Sequence, residues 1–119
     1  MSTTAELVAK AKSKIREVTP QDVSKQLGKV MILDVRESSE YAAGHIPGAI
    51  NIPRGLLEFQ IDQHPSLNDR NTEIVLQCLG GGRSALATVS LQELGYKHVS
   101  NLAGGYSAWA AAGLATEKS

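Results

Sequence analysis

Scarcity comes first in this chain of 119 residues, which contains one cysteine, Cys78. A lone thiol excludes an internal disulfide framework and every multi-thiolate zinc site, and leaves any chemistry at Cys78 without a resolving partner. An excess of charge of either sign is also missing: twelve Lys and Arg balance twelve Asp and Glu. No overall positive field therefore draws the protein to nucleic acid or to an anionic membrane. The balance is uneven, with six basic and three acidic residues in 1–29 against six and nine in 30–119, which reads as a solvated helix face. No stretch approaches the roughly 18 apolar residues of a membrane-spanning helix. The start, Met-Ser-Thr-Thr-Ala-Glu, has no basic segment followed by an apolar run, so no secretory signal is expected and the expected compartment is a reducing cytoplasm.

The apolar fraction of 42% and charged fraction of 20% are those of an ordinary globular protein, and the length suits one core. Leu7, Val8, Ala11 and Ile15 recur at steps near 3.6 among Lys10, Lys12, Lys14 and Arg16, predicting an amphipathic helix that packs on the domain or on a second subunit. Thr19-Pro20-Gln21-Asp22 places a hydroxyl cap before a proline, so a short helix is expected from there to Leu27, ended by Gly28. Val30 to Val35 is a continuous apolar strand of the kind covered on both faces. Short helical turns from Glu37 to Ala43 and from Gly55 to Ile61 flank a brief strand at 49–52, and residues 62–72 read as a loop. Glu73 to Cys78 is a second buried strand, Arg83 to Leu94 a helix closed by Gly95, Val99 to Leu102 a last strand and Tyr106 to Ala112 a last helix. Strand and helix alternate, which predicts an α/β sandwich on a mainly parallel sheet.

Cys78-Leu79-Gly80-Gly81-Gly82-Arg83-Ser84 joins a buried strand to an amphipathic helix, where open α/β sheets bind ligands. Three glycines let several backbone N–H groups converge as an anion-binding nest, and the positive end of the following helix points at the same place. Helix N-termini with cationic neighbours lower a thiol from ~8.5 to roughly 3.5–7.5, so Cys78 is expected to be largely thiolate and nucleophilic at neutral pH. The bland alternative, a small buried hydrophobe at a strand end, describes most lone cysteines. Gly81 and Arg83, third and fifth after the cysteine, tilt the reading toward reactivity; Leu79 and Gly82 do not.

Four blocks then carry a resemblance: Ile32-Leu33-Asp34-Val35-Arg36-Glu37; Glu40 through Asn51, with Gly44-His45-Ile46-Pro47-Gly48-Ala49; Cys78-x-x-Gly81-x-Arg83-Ser84; and Leu102-Ala103-Gly104-Gly105-Tyr106-x-x-Trp109. In their order and spacing they resemble a single-domain rhodanese. The resemblance implies a three-layer α/β/α sandwich with a five-stranded parallel sheet, with Ile15 to Val18 as a short edge strand. It divides the chain into an N-terminal helix and edge strand at 1–18, a rhodanese domain at 19–114 and a tail at 115–119. It further implies a sulfurtransferase, in which Cys78 takes the outer sulfur of thiosulfate or a related donor as a persulfide and passes it to a thiol, cyanide or protein acceptor. The amides of Leu79, Gly80, Gly81, Gly82, Arg83 and Ser84 would hold the terminal sulfur, and no cofactor or metal is called for. A protein-to-protein persulfide carrier is the alternative. Related phosphatases and arsenate reductases have one more residue between Cys and Arg than the four here, and the shorter ring suits sulfur better than a tetrahedral oxyanion. Many thiosulfate-using members carry basic or polar residues in this loop where the present chain has Leu and Gly.

Asp34 and Arg36 are candidate pocket residues. The plainer role of Asp34 is to bind loop amides, and that of Arg36 is an ion pair with Glu40 at helical spacing. His45 is expected to make a structural hydrogen bond, and His64 and His98 to be exposed. Leu56, Leu57 and Phe59 are candidates for core packing or for an apolar wall at the persulfide. Tyr106 and Trp109 are expected to pack against the sheet, and the N-terminal helix is the candidate contact of a homodimer.

Overall fold

The computed structural model describes residues 2–119. In chain order the elements are α1 (Thr4–Lys12), β1 (Arg16–Val18), α2 (Pro20–Ser24), β2 (Met31–Asp34), α3 (Ser38–Ala43), β3 (Ile50–Asn51), α4 (Leu57–Gln60), β4 (Ile74–Gln77), α5 (Gly82–Glu93), β5 (Val99–Leu102) and α6 (Gly105–Ala111). Short 3-10 turns at Arg54–Leu56 and Ile61–Gln63 flank α4.

The helices begin where the sequence supplies caps. Thr3 and Glu6 form a reciprocal capping box on α1, the Thr19 hydroxyl accepts from the Asp22 amide at 3.1 Å, and Pro20 opens α2. Two boundaries differ from expectation. Helix α1 stops at Lys12, so Ile15 lies outside it, and α2 stops at Ser24, the chain reaching Gly28 through turns in which Gln26 N–H bonds Val23 C=O and Lys29 N–H bonds Gln26 C=O. A five-residue helix with one buried valine has little apolar stripe to carry it further.

All strand pairs are parallel, in the order β1-β5-β4-β2-β3, with β1 on the edge beside β5. Pleating sends alternate residues to opposite layers. From β2 and β4, Leu33, Val35, Ile74, Leu76 and Cys78 face a core completed by Leu57, Ile61, Ala87 and Leu91 of the α4–α5 side. Ile32 and Val75 face the other, with Val23, Ile46 and Trp109. Helix α1 packs on α5 of its own domain. The tail is tied down: Glu117 and His45 exchange backbone hydrogen bonds at 2.8 and 2.9 Å, and the Trp109 indole donates to Ala115 C=O at 2.8 Å. No helix among the described residues is long and apolar enough to cross a membrane.

Because every strand points the same way, the ends of β2, β4 and β5 open on one edge of the sheet, and Asp34, Cys78 and the Gly104-Gly105 pair meet there. Leu76 sits at the middle of the central strand with no exposed surface. Leu76→Ala is expected to destabilise the protein by about 2–5 kcal/mol in urea unfolding, the range for deleting a fully buried leucine.

Candidate active site

Cys78 follows β4 directly, and its thiol is buried under the start of α5. Helix α5 has Gly81 at its N-cap, with φ +104°, and no side chain of its own to cap it. The sulfur of Cys78 serves instead. It accepts the amide of Gly81 at 3.1 Å, and both the amide and hydroxyl of Ser84 at 3.4 Å. Ser84 is the third helical residue, whose N–H a capping oxygen ordinarily takes. An anionic sulfur is favoured at such a place twice over, by hydrogen bonds and by the helix dipole. Burial pushes the thiol up, yet the Ser84 hydroxyl and amide, the Gly81 amide and the charge of Arg83 outweigh it, and its pKa lies below the ordinary value. The amides of Gly82 and Arg83, in the first turn of α5, have no intrahelical carbonyl and remain as further donors.

The other wall of the loop is held by α6. Tyr106 and Ser107 donate their amides to the carbonyls of Cys78 and Leu79 at 2.8 and 3.0 Å. That approach requires glycine: a Cβ on Gly105 would stand 2.5 Å from the Cys78 carbonyl oxygen and 2.6 Å from that of Leu79. Gly104 and Gly105 thus dock one helix N-terminus onto the backbone of the loop while another grips its sulfur. Leu79 and Gly80 are exposed at the mouth.

The charged residues pair differently from expectation. Arg36 does not meet Glu40. Both are near α3, but Arg36 precedes the helix, so four-residue spacing brings no common face. Its guanidinium turns back to Asp34 in a buried pair, Nη2 to Oδ2 at 2.7 Å and Nε to Oδ1 at 3.0 Å, donates to Gly44 C=O at 2.7 Å, and lies 4.4 Å from the centre of the Tyr106 ring. Asp34 also accepts the Arg36 amide at 3.0 Å, as its plainer role required. Alternation along β2 turns Asp34 to the layer opposite Cys78, so the pair braces the loops without reaching the sulfur. Glu40 instead takes Arg83, at 2.8 and 3.1 Å, and this bond holds the Glu40 carboxyl down at about 2. The Arg83 guanidinium therefore turns to α3 while its charge still acts on the thiol.

His45 stacks on Tyr41 at 3.8 Å and its Nδ1 bonds Tyr41 C=O at 2.8 Å, a structural role. His98 is exposed and His64 half-buried. Leu57 packs in the core that contains Cys78, whereas Leu56 and Phe59 are exposed rather than core residues. Trp109 is fully buried and Tyr106 packs beside it. Among the described residues no cluster of three His, Cys, Asp or Glu is placed to hold a metal.

Residues 19–112 match the family model of the Rhodanese-like domain. The chain belongs to the rhodanese-like family. It is 33% identical to a Sulfurtransferase of Allochromatium vinosum, covering 84% of this chain and 92% of that protein, and 40% identical to Thiosulfate sulfurtransferase 16, chloroplastic, of Arabidopsis thaliana, covering 71% and 78%. It spans only 56% of a mitochondrial Arabidopsis relative and 40% of a Putative sulfur carrier protein of Bacillus subtilis. Among solved structures, one from Rhodopseudomonas palustris, described as a possible tyrosine phosphatase, superimposes with a TM-score of 0.88 at 34% identity, covering 98% of this chain and 96% of that one. The relatives support rhodanese-type sulfur transfer as the general activity of this rhodanese-like domain.

Two outcomes test the site. Gly105→Ala must push the Cys78 and Leu79 carbonyls away, and is expected to cost about 1–3 kcal/mol in unfolding free energy and to raise the pKa of Cys78 in a thiolate titration. Glu40 ionises at about 2 when folded against an ordinary 4.5, so its contribution is complete above 4.5 and is lost as pH falls toward 2. Both side chains are partly exposed, so the stability difference between wild type and Glu40→Gln should stay below about 1 kcal/mol at neutral pH and close over that acid window.

Proposed function

We propose that this protein is a sulfurtransferase in which the Cys78 thiolate attacks the outer sulfur of thiosulfate or a related donor. The sulfur–sulfur bond of the donor breaks, sulfite leaves with the bonding pair, and Cys78 carries the sulfur as a persulfide. A thiolate or cyanide then attacks that outer sulfur, taking it as a new persulfide or thiocyanate and returning the Cys78 thiolate. No external oxidant or reductant enters. Sulfite is a good leaving group, so no general acid is needed, in keeping with the structural employment of His45.

The observation that carries this reading is the set of donors on Cys78 Sγ, Gly81 N–H at 3.1 Å and Ser84 N–H and O–H at 3.4 Å, which stabilise the nucleophile. In this reading the amides of Leu79, Gly80, Gly82 and Arg83 are the donors left for the terminal sulfur. A phosphatase reading is disfavoured by the four-residue spacing from Cys78 to Arg83 and by the engagement of Arg83 with Glu40 rather than with an anion over the sulfur. A reducing compartment suits a thiol that has no partner in its chain.

One observation favours a second reading, a carrier that exchanges persulfide with other proteins. The most exposed residues of the loop, Leu79 and Gly80, carry no charge, and its one basic side chain, Arg83, is engaged by Glu40 rather than free to attract a doubly charged donor. The deciding experiment follows sulfur by intact-protein mass spectrometry. Thiosulfate is expected to add one sulfur atom to the reduced wild type and none to Cys78→Ser. Labelling only from a cysteine desulfurase would favour the carrier, and Cys78-dependent hydrolysis of an aryl phosphate would overturn both.

A further inference from the structure

Asn101 stands in β5 with no exposed surface, on the α5 side of the sheet by the alternation that sends Leu102 to the opposite core. Its Nδ2 donates twice: to the carbonyl of Gly81 at 3.2 Å and to Oε2 of Glu17 at 3.0 Å. Glu17 is its register partner on the edge strand β1 and is exposed. The Oδ1 of Asn101, buried, has no partner. A carboxamide has one donating and one accepting end, and both neighbours here are acceptors. The nitrogen must therefore face both, and a flipped amide would set oxygen against oxygen at Gly81. The carboxylate of Glu17 adds a second, charged acceptor on the same side and so reinforces the observed orientation, even with Oδ1 left unpaired.

Gly81 is the residue that needs such a hold. It has φ +104°, it lacks a side chain to restrain its backbone, and a Cβ there would lie 3.9 Å from Asn101 Nδ2 and 3.7 Å from the Gly104 nitrogen. Its amide is the nearest donor to Cys78 Sγ, at 3.1 Å. We infer that Glu17 and Asn101 form a positioning pair: Glu17 orients the Asn101 amide, Asn101 anchors the Gly81 carbonyl, and the anchored glycine keeps its N–H on the reactive sulfur. Neither residue touches the reacting atoms. The kinetic part of this inference rests on the sulfur-transfer reading; the part concerning the thiol does not.

The competing account, that Glu17 is only a nearby negative charge, predicts the opposite sign. Removing a bare charge would make Cys78 easier to ionise, whereas removing an orienting acceptor makes it harder. Glu17→Gln keeps an accepting oxygen and deletes the charge; Glu17→Ala deletes both. The test measures ultraviolet thiolate absorbance against pH for wild type, Glu17→Gln, Glu17→Ala, Asn101→Ala and the double alanine variant, with urea unfolding alongside and the rate of persulfide formation from thiosulfate at a pH below the thiol pKa. Glu17→Ala is expected to raise the Cys78 pKa and slow persulfide formation roughly threefold to tenfold. Glu17→Gln is expected to retain the wild-type pKa, and the double variant to match Asn101→Ala alone. A lowered pKa in both Glu17 variants, or no change in Glu17→Ala, would overturn the pair. If Asn101→Ala does not fold, the two substitutions at exposed Glu17 decide the matter. A wild type that takes no sulfur from thiosulfate would count against the proposed reaction, while the thiol titrations would still decide the pair.

Discussion

A buried sulfur that must carry negative charge is the constraint around which this fold is arranged. Taking an anion out of water is costly, and the cost is tolerable only where donors replace the lost solvent. Here the replacement comes from α5, whose N-terminus lacks a capping side chain and uses Cys78 Sγ in its place. One contact thus gives the Ser84 amide an acceptor and the sulfur a donor. A cap of serine or aspartate on the same helix would compete with the sulfur for those donors, which gives a physical reason for glycine at the N-cap.

The same loop is gripped from its other side. Helix α6 places two amides on the carbonyls of Cys78 and Leu79, so the segment between β4 and α5 lies between two helix N-termini with its acceptors consumed on one flank and its sulfur served on the other. Parallel strands make this convergence possible, because the neighbouring strands β4 and β5 end at the same edge and release their following helices from there onto opposite faces of the sheet. The two ion pairs extend the frame at different energetic scales. Asp34–Arg36 is buried and saturated by extra hydrogen bonds, so losing one partner would strand a charge; Glu40–Arg83 is partly solvated and acts as a tie between α3 and α5.

In chemical terms the site offers a nucleophile and donors and no acid–base side chain on the sulfur. Moving a sulfur atom between thiolate-like partners is a reaction whose leaving group departs without a proton, and it suits such a site. Leu79 and Gly80 at the mouth of the loop are exposed and uncharged.

Much of this could be read along the chain: the alternation of strands and helices, the cap at Thr19, the thiol between a buried strand and a glycine-rich helix start, and, through the family resemblance, the edge strand β1. Those features are local, since a cap, a turn or a periodic face needs only a few neighbouring residues. The partners of Arg36, Arg83 and Asn101 were not legible. Arg36 and Glu40 sit four apart but not on one helix; Arg83 and Glu40 are separated by 43 residues; and Asn101 reaches Glu17 and Gly81 only because β1 returns to the sheet beside β5. A polar residue inside the buried run Val99-Ser100-Asn101-Leu102 was the one available signal. Sequence determined which thiol stands at the glycine-rich start of a helix and which elements surround it. Tertiary structure alone decided which charges and amides brace it, because strand register and the choice of face bring together residues whose spacing along the chain contains no trace of their meeting.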